Sequence, residues 1–189
     1  MNSVPVSLRH KPFLTPIWVT ALAAFLAFLV AVAAIWEVAT ADSTTVIVVR
    51  HAEKDLASGA DPSLSAQGEA RAALLARMFG GIATQGRIDA IYVSPTLRSR
   101  ATAAPLAAAL RLTPVIAPGD DAKGLARRAL REHAGGRVLI VGHADTVPAI
   151  VGALSGDHEM QGLGDSDYGV MYVVTVPRIG RANFVRLDY

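Results

Sequence analysis

Apolar positions in this chain fall into two kinds of block. The first is a single unbroken stretch, residues 17–36, with no charge and only Thr20 as a polar interruption. As a helix it is long enough to cross a hydrocarbon core of about 30 Å. Trp18 and Trp36 stand near its two ends, where interfacial aromatics belong. The second kind is a set of short β-branched runs at 45–49, 88–93 and 137–141. Runs of that length, bounded by turn residues, read as buried strands.

Segments with helical patterning lie between these runs. Ser65 suits the cap of a helix over 66–79, which Gly80-Gly81 would end. An Ala-rich segment over 96–110 reads as a helix, with Ser94 as cap and Pro95 in its first turn. A short strand at 113–117 follows. Asp120 or Asp121 would then cap a helix over 122–134, closed by Gly135-Gly136, and another helix covers 146–154. The segments 52–63 and 155–169 are polar loops. Residues 170–176 and 182–187 alternate as two strands around a hairpin-like 177–181. Strands alternating with helices predict an α/β three-layer sandwich with a mostly parallel, mixed sheet. The expected organisation is a flank at 1–16, the apolar segment at 17–36, a linker at 37–44 and one domain over 45–189.

Composition changes this picture little. Hydrophobic residues make up 52% of the chain, above the usual 45–50% or so, because of the apolar segment and the Ala-rich body. The formal net charge of +2 gives no basis for a nucleic-acid surface. There is no cysteine, which excludes disulfides, Cys-ligated zinc and a cysteine nucleophile. Arg9 and Lys11 precede the apolar segment; Glu37 and Asp42 follow it. The positive-inside rule places the N-terminus in the cytoplasm and the domain beyond the membrane. The expectation is a single-pass inner-membrane anchor with a periplasmic or extracytoplasmic domain. A secretory signal cleaved at Ala39-Thr40-Ala41 and a buried soluble helix are the alternatives. Oligomeric state leaves no trace in the sequence.

The chemistry-bearing residues sit where strands end. The run at 45–49 leads into Arg50-His51, the run at 88–93 into Ser94-Pro95-Thr96-Leu97-Arg98, and the run at 137–141 into Gly142-His143. Ligands of open α/β sheets bind outside the carboxyl ends of strands, so two His and two Arg converge on one rim suited to an anionic, phosphorylated group. A neutral imidazole at His51 can attack phosphorus. Arg50 can hold phosphate oxygens in a fork, and Arg98 falls in the first turn of a helix, where free amides favour an anion. His143 can donate to the transferring group. Asp145 reads either as a helix cap or as a proton-transfer group. Taken one by one, each is also readable as a surface charge or a cap. His10, His133 and His158 have bland readings, His133 as a helix C-terminal imidazole.

Together these segments resemble the histidine phosphatase superfamily, also called phosphoglycerate mutase-like. The matching residues are Arg50-His51 after a strand, Ser94-Pro95-x-x-Arg98-x-x-x-Thr102, Gly142-His143, and Leu64-Ser65-x-x-Gly68-x-x-x-Ala72. The resemblance covers about 45–187. It implies His51 as nucleophile, with Arg50, Arg98 and His143 completing a phosphate pocket that uses no metal or cofactor. It also implies a phosphorylated small-molecule substrate.

Two departures stand out. Ala52 occupies a position where the family usually has Gly; its methyl group is tolerable at negative φ. The general acid is open among Asp145, Asp120 and Asp121, since Ala144 stands where one branch of the family has Asp. Phosphomonoester hydrolysis is the leading expectation. Mutase chemistry, removal of phosphate from a protein phosphohistidine, and phosphate binding without turnover are the alternatives. A metal hydrolase built on His51, Glu53, His143 and Asp145 is a further one, opposed by the arginines beside the histidines.

Overall fold

The computed structural model describes residues 17–39, 43–57, 59–81, 86–157 and 159–189. The chain divides into two units, Met1–Thr40 and Ala41–Tyr189. His10, His158, the basic flank at Arg9 and Lys11, and Thr40-Ala41 of the possible cleavage site lie outside the described residues.

In the first unit, helix α1 runs over Ile17–Ala39, slightly beyond the expected end at Trp36. Its stretch Ile17–Trp36 has a mean hydropathy of 2.5 and is long enough to cross a membrane. The Thr20 hydroxyl donates to the Ile17 carbonyl at 2.9 Å, so the one polar side chain in the stretch is satisfied within its own helix.

The second unit is a six-stranded mixed sheet between two helical layers. Its strands are β1 Thr44–Arg50, β2 Ala90–Val93, β3 Val115–Ile116, β4 Arg137–Gly142, β5 Val170–Val176 and β6 Asn183–Asp188, in the order β3-β2-β4-β1-β5-β6. β1, β2, β3 and β4 pair in parallel. β5 runs antiparallel to β1, and β6 antiparallel to β5. The helices are α2 Ala66–Gly80, α3 Leu97–Leu110, α4 Ala122–Glu132 and α5 Thr146–Ser155.

Strand alternation divides the core between the two faces. Val46, Val48, Val138 and Ile140 pack with Leu125, Ala129, Ile150 and Leu154 of α4 and α5. Ile47, Val49, Leu139 and Val141 pack with Leu75, Leu106 and Leu110 of α2 and α3. Both faces being covered explains why the central strands read as continuous apolar runs.

Several boundaries shift from the expectation, the helix expected over 122–134 ending at Glu132 among them, and three of the shifts have a clear local reason. β2 starts at Ala90 rather than 88, although Ile88 is fully buried. Asp89 ends the ladder, because its Oδ2 accepts from Arg137 N at 2.7 Å. β3 shrinks to two residues between Pro114 and Pro118, which lack the N–H that extends a ladder. α3 begins at Leu97 with Thr96, not Ser94, at the cap position. Thr96 makes no side-chain cap bond; Leu97 N instead donates to the Asp61 carboxylate at 3.1 and 3.2 Å.

Ser65 does cap α2, accepting from Gly68 N at 3.2 Å. Ser65 N donates in turn to the Glu53 carbonyl at 2.9 Å, which ties α2 to the segment that follows His51. A Cβ at Gly68 would run into that same Glu53 carbonyl. Gly68→Ala is therefore expected to lower stability by about 1–3 kcal/mol, the usual cost of overpacking. Thermal unfolding checks this, and an unchanged midpoint would show that the two backbones separate freely.

Candidate active site

The site begins with the pairing of β1 and β4. Arg50 lies opposite Gly142 in the parallel register, and His51 N donates to the Gly142 carbonyl at 2.9 Å. The ladder thus continues to the point where His51 and His143 emerge together. Their ring centroids are 5.2 Å apart, edge to face. Arg50 and His51 are each 4% exposed, so the step after β1 is interior rather than a solvated strand end.

His51 has a defined tautomer. Its Nδ1 lies 2.8 Å from the Ala52 carbonyl, an acceptor, so Nδ1 carries the proton and Nε2 the lone pair. Arg98 Nε donates to that Nε2 at 3.2 Å. The loop holding His51 is itself fixed, since Ala52 N donates to Thr102 Oγ1 at 2.9 Å and Thr102 Oγ1 donates to the Arg98 carbonyl at 2.7 Å. Thr102 thereby locks the β1 loop to α3. Among the described non-glycine residues only Arg111 has positive φ. Ala52 keeps the negative φ that admits its methyl, which packs with Leu64 and Ala72.

His143 shares a 2.8 Å hydrogen bond between its Nε2 and Ser94 Oγ. Ser94 Oγ also donates to Ser99 Oγ at 2.7 Å. Ser94 therefore serves the second histidine rather than capping α3. Burial pushes His51 down to about 4, with the Ala52 carbonyl pulling the other way and His143, Arg98 and Arg50 adding to the drop. His143 is also lowered, first by burial and then by Arg98, against a smaller opposing pull from Asp145. Both imidazoles are neutral at pH 7.

The sequence-predicted residues divide. Arg50, His51, Arg98 and His143 come together. The three acids do not share one role. Asp121 accepts from Gly124 N at 2.7 Å and caps α4. Asp145 accepts from Thr146 N at 2.9 Å at the start of α5. Asp120 and Asp145 line, with Ser94, Thr96 and His143, a cleft of about 520 Å³. Glu53 is unavailable to a metal set with the histidines, because Arg71 holds its carboxylate at 2.6–3.0 Å. Burial alone would raise Glu53, but the Arg71 fork outweighs it and keeps it below the usual range. Among the described residues no group of three or more potential metal ligands is gathered.

Two residues escaped the sequence reading. Asp61, in the loop over 52–63, sits on the α3 N-terminus and reaches Arg98 Nη1 at 3.4 Å. Tyr168 lies in the loop over 155–169, with the Arg50 guanidinium 4.1 Å from its ring centroid and the His51 ring at 5.9 Å. That loop also grips Arg50, whose Nη1 donates to Gly164 O at 2.6 Å and Asp165 O at 3.2 Å. Leu163 N anchors the loop on Ala144 O at 3.1 Å. Among the described residues Arg50 Nε is buried without a partner, which leaves that donor of the fork unspent. Neither loop has a hydrophobic period. Asp61-Pro62 as a turn pair was the only available signal.

Comparisons with known proteins bear on this arrangement. Residues 46–119 match the family model of the histidine phosphatase superfamily (branch 1). No curated protein matches the sequence significantly. Among solved structures, the protein histidine phosphatase SixA complexed with tungstate is 20% identical, covering 76% of this chain and 96% of its own, with a TM-score of 0.62. A mycobacterial glucosyl-3-phosphoglycerate phosphatase is 15% identical, covering 77% and 99%, at 0.61. A putative phosphohistidine phosphatase SixA from Agrobacterium tumefaciens is 24% identical, covering 75% and 97%, at 0.54. The architecture is thus the phosphoglycerate mutase-like α/β fold. Over residues 46–119 the chain is similar to the histidine phosphatase superfamily.

The neutrality of His51 has a measurable sign. Unfolding releases an imidazole of ordinary pKa, near 6.5. Between pH 6.5 and 4 the unfolded chain holds a proton that the native one does not. Stability therefore falls as pH drops through that window. Histidine ¹⁵N NMR should show His51 as the Nδ1–H tautomer with a midpoint near 4. A midpoint at or above 6.5 would contradict the buried site.

Proposed function

We propose that this chain is a metal-independent phosphomonoester hydrolase working through a phosphohistidine on His51. The observation that carries the reading is the lone pair on His51 Nε2, held within 3.2 Å of Arg98 Nε beside the buried Arg50. In the first step Nε2 attacks phosphorus, a P–N bond forms, and the ester P–O bond breaks. Arg50, Arg98 and His143 stabilise charge on the phosphoryl oxygens. In the second step water attacks phosphorus, the P–N bond breaks, and inorganic phosphate leaves.

Asp120 is the assigned general acid and base. It lines the cleft with His143 and Ser94, as Asp145 does, but Asp145 and Asp121 each accept from a backbone amide at a helix start. It protonates the leaving oxygen, then takes a proton from water.

His51→Ala is expected to abolish the acid-labile labelled phosphoenzyme and to cost at least about 10³-fold in kcat, as loss of a nucleophile does. Phosphoenzyme at wild-type levels in that variant would remove His51 from the role. Asp120→Asn should slow alkyl phosphates by about 10²-fold while sparing p-nitrophenyl phosphate, whose leaving group needs no proton. Equal effects on both would move the acid elsewhere.

Dephosphorylation of a protein phosphohistidine is the second reading. It is favoured by the commitment of Asp121 and Asp145 to helix-start amides, since an imidazole leaving group demands less of an acid. Two of the structural relatives are named for that activity. A phosphohistidine peptide assayed beside the alkyl esters distinguishes the two readings.

The apolar α1 supports an uncleaved membrane anchor, with the domain on the periplasmic side of the inner membrane. The full chain should then stay in the membrane pellet through alkaline extraction. The domain should be digested by protease added to spheroplasts. Release by alkali or protection from protease would overturn the placement.

A further inference from the structure

The cleft beside His143 has a neighbour. A second cleft of about 490 Å³ opens against α4, and Pro118 and Asp120 line both. Its wall carries Arg127, Arg128 and Arg131, with Gly124 at the near end. Positions 124, 127, 128 and 131 recur at three- and four-residue spacing, so they share one helix face. The proposed hydrolysis uses none of these arginines.

The charges in this cleft are unevenly committed. Asp121 is folded onto its own helix, where it accepts from Gly124 N at 2.7 Å. Arg128 is partly engaged, donating from Nε to Glu132 at 3.0 and 3.1 Å and lying 5.4 Å from the Tyr92 ring centroid. Arg127 and Arg131 are exposed. Ordinary solubilising arginines would serve equally well on any outward face. Here three guanidiniums line one cleft, and that cleft adjoins the one containing His143.

We propose that this arginine-lined cleft is a second anion subsite, selecting phosphomonoesters that carry another acidic group several bonds from the ester. The proposal rests on the phosphatase reading above. With the phosphoryl group at His51, the leaving group extends past Asp120, and its distal anion meets Arg127 and Arg131. Guanidinium forks bind carboxylate and phosphate alike. Exposed pairs contribute little individually, and two acting together are worth about tenfold in affinity. The gain should shrink at high salt.

The test uses the full chain in detergent and two matched series of increasing chain length, ω-carboxyalkyl phosphates and ω-hydroxyalkyl phosphates. In the wild type, one chain length of the carboxy series should show a KM about tenfold below its hydroxy partner, at similar kcat. The double variant R127A/R131A should raise that KM to the hydroxy value and leave the hydroxy series unchanged. Equal KM values for the two series in the wild type, or an unmoved carboxy KM in the variant, would overturn the subsite while leaving the phosphatase reading intact. The corresponding non-hydrolysable phosphonates, titrated calorimetrically, keep the tests separate. If no ester turns over, the phosphatase reading fails. The subsite then stands on tenfold tighter binding of the carboxy phosphonate in the wild type alone, and falls without it.

Discussion

The parallel pairing of β1 with β4 is the constraint on which the site depends. It sets Arg50 opposite Gly142 and carries one further bond, from His51 N to the Gly142 carbonyl. A one-residue slip would send every side chain of a strand to the opposite face. Here a slip would separate the two histidines as well as empty both apolar layers, so the core that stabilises the domain also enforces the geometry of the candidate site. Val46 and Val48 face α4 and α5, while Ile47 and Val49 face α2 and α3. Neither register nor face can change alone.

Burial then does the electrostatic work. Two imidazoles between two guanidiniums would in any case resist protonation, and desolvation is the larger effect on both. The result is an imidazole at His51 that is neutral at pH 7 and flanked by cations that favour an anion. The hydrogen bonds divide the labour among elements. The Ala52 carbonyl sets the His51 tautomer, Thr102 locks the loop to α3, Ser94 holds His143, and the loop over 163–168 holds Arg50. The ion pair of Glu53 with Arg71 is structural. It braces the segment after His51 against α2 and keeps a nearby carboxylate away from the phosphate pocket.

Much of this was legible along the chain because its signals are local. Ser65 capping α2, Gly80-Gly81 ending it, and the apolar strands all follow from propensity and period. Errors occurred where a tertiary partner replaced a local one. The pattern points to Ser94 as the cap of α3, but Asp61 from a distant loop takes the Leu97 amide and Ser94 bonds His143 instead. Asp120, Asp121 and Asp145 were indistinguishable as carboxylates near helix starts. Only their hydrogen bonds and the cleft they face separate them.

The sequence by itself determined the layer architecture and which side chains stand at strand ends, because alternation of apolar and polar residues decides which face is buried and where a run stops. It also determined the two histidines and two arginines as a set, since Arg50, His51 and His143 stand at strand ends and Arg98 in the first turn of the helix after β2. Tertiary structure alone decided which donors are spent and which remain. Arg50 is gripped by Gly164 and stacked on Tyr168, residues more than a hundred positions away in loops with no periodic code. Hydrogen bonds and cation–π contacts across such distances depend on where two loops meet in space, which no spacing along the chain records.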